Sequence, residues 1–143
     1  PDGGVKNDLK AQVEQLGIAR NVSFTGAKSQ VDIHTIASRA SFYLQTSIRE
    51  GMAMSVVEAM QIGLVSVVTP VGEIARYCVD GKNAVLVQED ATAVDAVMGL
   101  LSDTDRYKRM SYAATEYWQE KPLYRDDFLA AAIEFIEGSA DDV

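Results

Sequence analysis

Glu50 and Glu58 stand eight positions apart in the stretch EGMAMSVVEAM, residues 50–60, one before and one after the start of an apolar run. Ser55 followed by Glu58 has the Ser-x-x-Glu spacing of a capping box, which predicts a helix over residues 55–62. The first turn of a helix presents unpaired N–H groups and the positive end of the helix dipole, a setting suited to phosphate or another anion. With a carboxylate on each side of that anion, hydroxyl groups can be held at both ends. A ligand with a diphosphate between two hydroxyl-bearing rings matches that order, and such a ligand is a nucleotide sugar.

Other chemical groups are sparse. Cys78 is the single cysteine, so no internal disulfide can form, which suits a reducing compartment; between Tyr77 and Val79 it is expected as a small buried hydrophobe. His34 is the only histidine, beside Ile33 in a predicted helix, which leaves a serine or cysteine triad without a base. Asp103-Thr104-Asp105 has the Asp-x-Asp order of metal-dependent sugar transfer, yet it opens a predicted helix, where Asp and Thr serve as caps. No group of Cys, His and carboxylates has metal-ligand spacing, so neither a metal nor another cofactor is expected. A net charge of -8 without a cluster of Lys or Arg argues against nucleic acid as a partner.

The elements that position residues 50–60 follow from periodicity. Val5, Leu9, Val13 and Leu16, closed by Gly17, predict a first helix. NVSFTG, residues 21–26, alternates Val22 and Phe24 with polar neighbours and predicts a strand. A second helix is marked by Val31, Ile36, Ala37 and Ala40, and SFYLQ, residues 41–45, predicts the next strand. The central helix ends at Gly63, and LVSVV, residues 64–68, is a short β-branched run that reads as a buried strand stopped by Thr69-Pro70. A short helix over 73–79 and a strand over 84–87 follow. Beyond Glu89 the pattern is helical only: 93–101, 107–118, and an apolar stripe of Phe128, Leu129, Ala132, Ile133 and Ile136 after Pro122. Strands alternating with helices need crossover connections, so the expected fold is α/β, a Rossmann-like parallel sheet with helices on both faces and a helical C-terminal tail. Ligands on such sheets bind beyond the carboxyl ends of the strands, here the loops 26–29, 46–54 and 69–72.

EGMAMSVVEAM and the GLVSVVTPVGEI that follows resemble the C-terminal domain of the group 1 (family 4) glycosyltransferases, two-domain GT-B enzymes whose signature is two glutamates separated by seven residues. The resemblance runs from Pro1 to about Gly138. It implies that residues 1–143 form one nucleotide-sugar-binding domain, with an N-terminal acceptor domain and the first strand of this domain upstream of Pro1. It implies a retaining transferase that carries a sugar from a UDP- or GDP-sugar to a glycan or lipid acceptor, as in polysaccharide biosynthesis. Glu58 then holds the ribose hydroxyls and Glu50, beside the donor sugar, is the catalytic carboxylate. Gly51, Met52, Ala53 and Met54 complete the donor-binding loop, while Gly26, Ala27 and Lys28 edge the nucleobase. Two departures stand out. The family's Gly-Phe-Gly after the first Glu is Gly51-Met52-Ala53 here, and Ala53 excludes a backbone geometry open to glycine alone. The family's Arg and Lys for the diphosphate fall upstream of Pro1.

With 143 residues, 48% apolar and 24% charged, the chain reads as one globular domain. No apolar run reaches transmembrane length and no signal peptide is recognisable, so a cytoplasmic location is expected, with the full-length protein at the membrane surface if its acceptor is a lipid. A start at Pro1 instead of Met suggests a piece of a longer polypeptide. Two other readings stay open: a non-catalytic nucleotide-binding or regulatory α/β module, and a related GT-B enzyme such as a sugar-nucleotide epimerase or a phosphorylase. A receiver-type module would need Asp at the end of the central strand, where Gln45 stands.

Overall fold

In the computed structural model, which describes residues 5–119 and 121, Val22 and Phe24 do not form the strand that their alternation predicts. Val22 is extended, with φ -118 and ψ 127. Residues 22–26 nevertheless pair with no described strand, and extended backbone becomes sheet only when its N–H and C=O groups find a neighbouring ladder. This segment belongs to the first of two compact units, which ends at Ile36; the second begins at Ala37. The first unit contains helix α1 (Val5–Gln15), a 3-10 turn (Ala19–Asn21) and most of α2 (Gln30–Ala37). A reciprocal capping box opens α2: the Ser29 hydroxyl accepts from the Asp32 N–H at 3.2 Å, and the Asp32 carboxylate accepts from the Ser29 N–H at 3.4 Å.

The second unit carries the predicted α/β order. Strands β1 (Phe42–Gln45), β2 (Val65–Val68) and β3 (Ala84–Leu86) alternate with helices α3 (Met54–Gln61) and α4 (Ile74–Tyr77). Helices α5 (Asp90–Ser102) and α6 (Thr104–Gln119) follow. The sheet is parallel in the order β1-β2-β3, with Phe42 beside Val65 and Val67 beside Val85. Every residue of β2 is buried, because side chains alternate across a sheet that is covered on both sides. Val65 and Val67 pack with Ala93, Leu100 and Met110 on one face. Val68 packs with Val56, Met60, Ile74 and Tyr77 on the other.

The end of α3 and the start of α6 are each set by local hydrogen bonds. Gly63, at φ +84, ends α3: its N–H donates to the Met60 carbonyl at 3.0 Å and the Leu64 N–H to the Ala59 carbonyl at 2.9 Å, the paired bonds of a Schellman turn. Asp103 opens α6 by accepting the Arg106 N–H at 2.9 Å, the capping role expected for the Asp-x-Asp sequence. Helix α6 then passes from one core to the other. Tyr107 and Met110 belong to the α5 side, while Ala114, Tyr117 and Trp118 belong to the α3 side. Its Ser111 hydroxyl donates to the Gly63 carbonyl at 2.6 Å on the way. The stripe over residues 128–136 lies outside the described residues.

Candidate functional site

The loop after β1 brings Glu50 back towards the strand it left. At the end of β1, the Gln45 side-chain amide donates to Glu50 Oε1 at 2.5 Å, and the Ser47 hydroxyl donates to the same oxygen at 2.6 Å. The Gln45 carbonyl in turn accepts the Tyr43 hydroxyl at 2.7 Å and the Ser55 hydroxyl at 3.0 Å. Glu50 is half-buried and held by the strand terminus and by Ser47, and the Gln45 amide links it to Ser55 in the first turn of α3.

The start of α3 departs from the expected capping box. Ala53, not Ser55, is the N-cap, and no side chain caps the helix. The Ser55 hydroxyl is already committed to Gln45, and the helix begins one residue earlier than the spacing predicts, at Met54. Ala53 adopts the left-handed conformation, φ 50 and ψ 61, which alanine reaches at a cost of about 1 kcal/mol relative to glycine. The conformation is thus glycine-favouring but open to alanine. The Ala53 carbonyl takes the Val56 and Val57 N–H groups, at 2.9 and 3.4 Å, and no described residue accepts from the N–H groups of Met54 and Ser55. These two donors and the helix dipole leave this end of α3 with the chemistry that suits an anion.

Glu58 sits in the second turn of α3, exposed, three residues after Ser55 and so on the same helix face. Through Ser55 and Gln45 that face is joined to Glu50. Met52 on the connecting loop and Met54 at the start of α3 have exposed side chains. Gly26, Ala27 and Lys28 lie in the first unit and are exposed.

The loop is held from beneath by the segment after β2. Thr69 donates its hydroxyl to the Ser47 carbonyl at 2.6 Å, the Glu73 N–H donates to the Gly51 carbonyl at 3.1 Å, and the Tyr77 hydroxyl donates to the Met52 carbonyl at 2.7 Å. Gly72, at φ +56, permits the close approach: a Cβ there would lie 2.9 Å from the Glu50 carbonyl carbon and 2.9 Å from the Gly51 oxygen. Sequence reasoning named the two loops but missed Gln45, Ser47, Gly72 and Tyr77. The available signal was a polar glutamine at the carboxyl end of β1, beside a loop where ligands on such sheets bind.

Burial pushes the Tyr77 phenol well above its ordinary pKa, with the negative charges of Cys78, Glu50, Glu73 and Tyr117 adding to the effect, so the hydroxyl stays a donor to Met52. Burial alone pushes the Cys78 thiol up to about 12. In the unfolded chain that thiol ionises near 9.0, so between about pH 9 and pH 12 the unfolded state has released a proton that the folded state retains. Stability is therefore complete below pH 9 and falls as pH rises through that window. The slope approaches about 1.4 kcal/mol per pH unit for one proton, and solvent screening narrows the window over which it acts, which lowers the total loss. Urea unfolding at pH 8 and pH 11 checks the direction, and Cys78→Ala should flatten the thiol's share of the loss.

An apolar cavity of about 490 Å³ lies elsewhere in this unit, between the sheet and α5, lined by Phe42, Leu44, Val67, Val94, Val97 and Met98. Thr46 and Asp90 are its only polar lining residues, so it lacks the donors a diphosphate needs, and the polar chemistry stays with Glu50. Among the described residues no three Cys, His, Asp or Glu side chains are grouped to hold a metal, and no helix is long and apolar enough to cross a membrane.

The model of the family "Glycosyl transferases group 1" matches residues 2–117. A GDP-mannose:cellobiosyl-diphosphopolyprenol alpha-mannosyltransferase of Xanthomonas campestris is 26% identical over 133 residues, which is 87% of this chain and 35% of the relative. Sucrose-phosphate synthase from Thermosynechococcus elongatus superposes with a TM-score of 0.82 at 20% identity, covering 99% of this chain and 36% of that one. An Anabaena protein crystallised with UDP-glucose gives a TM-score of 0.72 at 22% identity, over 80% of this chain and 32% of its own. The chain thus spans about a third of the length of the curated mannosyltransferases it matches.

Proposed function

The chain belongs to the glycosyl transferases group 1 family, and from that premise we propose that it is the donor-binding part of an enzyme that moves a sugar from a nucleoside diphosphate to a glycan or lipid acceptor. The observation that carries the reading is the hydrogen-bonded cluster fixing the Glu50 carboxylate beside the open first turn of α3. In the proposed complex the diphosphate lies against the Met54 and Ser55 amides, where the helix dipole offsets its charge. Glu58, on the same helix face, accepts the ribose hydroxyls, and Glu50 accepts hydroxyls of the donor sugar. As the glycosidic bond to the diphosphate breaks, positive charge grows at the anomeric carbon and negative charge on the departing phosphate. Glu50 stabilises the first and the α3 amides the second.

GDP-mannose, the donor named for the Xanthomonas campestris relative, and UDP-glucose, bound in the Anabaena structure, both belong to this ligand class. Retention of configuration at the anomeric carbon is part of the proposal and rests on the family resemblance. So does an acceptor site on an N-terminal domain of the full-length protein. Because transfer needs both substrates held together with water excluded, the chain alone should bind a nucleoside diphosphate weakly and transfer no sugar.

Calorimetric titration of UDP and GDP into the chain, in excess EDTA and again with magnesium, tests the binding step. Binding without metal is expected. Glu58→Ala should weaken it by about 1.5 to 3 kcal/mol, the usual loss when hydrogen bonds to a charged group are removed. An affinity unchanged by Glu58→Ala would return Glu58 to the status of a solvated helix residue.

A further inference from the structure

The amide at the end of β1 has one workable orientation. With its N–H groups towards Glu50 and its carbonyl towards the two hydroxyls, every partner of Gln45 is satisfied: Nε2 donates to Glu50 Oε1 and to Ser47 Oγ, at 2.5 and 3.2 Å, and Oε1 accepts from Tyr43 and Ser55. Turned over, the carbonyl oxygen would face the carboxylate, two acceptors at hydrogen-bond distance. Orientation of the amide thus follows from the carboxylate, and orientation of the carboxylate from the amide.

The second consequence concerns which oxygen of Glu50 remains to do chemistry. Both donors, the Gln45 amide and the Ser47 hydroxyl, converge on Oε1, and no described donor reaches Oε2. A carboxylate held in this way offers one oxygen to its support and keeps the other for a ligand. The same glutamine carbonyl holds the Ser55 hydroxyl, in the turn whose amides form the anion-binding end. One side chain is therefore shared by the carboxylate end and the anion end of the site.

We propose that Gln45 is a positioning residue for sugar-nucleotide binding, which fixes Glu50 so that Oε2 accepts the hydroxyls of the donor sugar and ties that carboxylate to the first turn of α3. This rests on the donor-binding reading above. Gln45 itself touches neither the sugar nor the phosphates. The first turn of α3 is also held by its own bonds to the Ala53 carbonyl, whereas Glu50 depends on Gln45, so loss of Gln45 should bear on the sugar half of the ligand and spare the nucleotide half.

The test compares the chain's affinities for UDP and UDP-glucose, and for GDP and GDP-mannose, in the wild type, Gln45→Leu, Gln45→Asn, Glu50→Ala and the Gln45→Leu/Glu50→Ala double variant. Leucine has nearly the size of glutamine but cannot donate, whereas asparagine keeps an amide on a side chain one carbon too short to reach Glu50. Each Gln45 variant should lose about tenfold in affinity for the preferred sugar nucleotide while its affinity for the free diphosphate changes less than about threefold. In the Glu50→Ala background Gln45→Leu should cause no further loss, because a group acting only through Glu50 has nothing left to position. In ¹⁵N spectra one Gln45 side-chain amide proton should be displaced downfield, and the displacement should collapse in Glu50→Gln.

The results separate the two claims. A wild type that binds the sugar nucleotide more tightly than the diphosphate, with both Gln45 variants keeping that preference, overturns the role of Gln45 and leaves the donor reading standing. Losses that add fully in the double variant overturn it as well, since they would mark Gln45 as general scaffolding. A wild type with no affinity for either diphosphate or its sugar conjugate overturns the donor reading and the role of Gln45 with it.

Discussion

Gly72→Ala should destabilise the second unit by roughly 3 kcal/mol and cost most of its nucleotide affinity, whereas Gly81→Ala should cost only about 1 kcal/mol. Both glycines have positive φ, +56 and +69, so an alanine at either pays for the left-handed conformation. Only Gly72 is also crowded. Its added Cβ would lie 2.9 Å from the Glu50 carbonyl carbon and closer still to the carbonyl oxygen, whereas a Cβ on Gly81 would meet nothing within 4 Å. Because the obstacle is backbone, no rotamer change can relieve it; the two loops must move apart. That movement would strain the bonds from Thr69, Glu73 and Tyr77 that fix residues 47–52, and Glu50 would move with them. Urea unfolding of the two variants gives the steric contribution as a difference, with the conformational cost cancelled. Equal losses at both positions would show that the loops separate freely and that Gly72 serves only its own φ.

Met60→Ala should cost about 3 to 4 kcal/mol, near the upper part of the range for truncating a buried long side chain. Met60 is fully buried where α3 meets α6 and the end of α4. Its sulfur lies 3.8 Å from the Cys78 sulfur and accepts the Trp118 indole N–H at 3.5 Å. Truncation leaves both a cavity and an indole donor without its acceptor. Met60→Leu keeps the volume and removes only the sulfur, so it should cost less than about 1.5 kcal/mol. Trp118 is the single tryptophan, and its fluorescence during urea unfolding reports directly on the contact in question. A Met60→Ala variant as stable as Met60→Leu would mean that the α3–α6 junction closes around the deletion.

The parts of this fold that could be read in advance are those whose signal is local. Gly63 ends α3 because its left-handed φ is written in the residue itself, and the β-branched run around Val65 to Val68 is a buried strand because little else suits those side chains. Asp103 caps α6 as its position before the apolar period suggested. Val22 and Phe24 misled for the opposite reason: a strand is defined by its neighbour, and two alternating apolar residues say nothing about whether a neighbour is present. Ser55 misled because two partners competed for one hydroxyl. Spacing along the chain favoured the helix N–H groups, but Gln45, ten residues back, stood closer in space. The site shows the same division. Glu50 and Glu58 were visible from their spacing, while the glutamine that joins one to the turn preceding the other was not, since its role depends on three hydroxyls that only the folded loop assembles.

Helix α6 has one more consequence, for the order in which the chain is made. Its ties run far back along the sequence: Tyr107 to Ser41, Ser111 to Gly63 and Trp118 to Met60, separations of 66, 48 and 58 residues. A ribosome releases the strands and α3 well before it releases the helix that closes over both cores. At about 5 to 20 residues per second, the fifty residues between Leu64 and Ala114 leave the nascent sheet without that cover for several seconds. Over that interval the apolar rows of β2 and the inner face of α3 are open to water and to neighbouring chains. The late arrival of Met110, Ala114 and Trp118 makes this stretch of synthesis the interval in which a chaperone has most to protect.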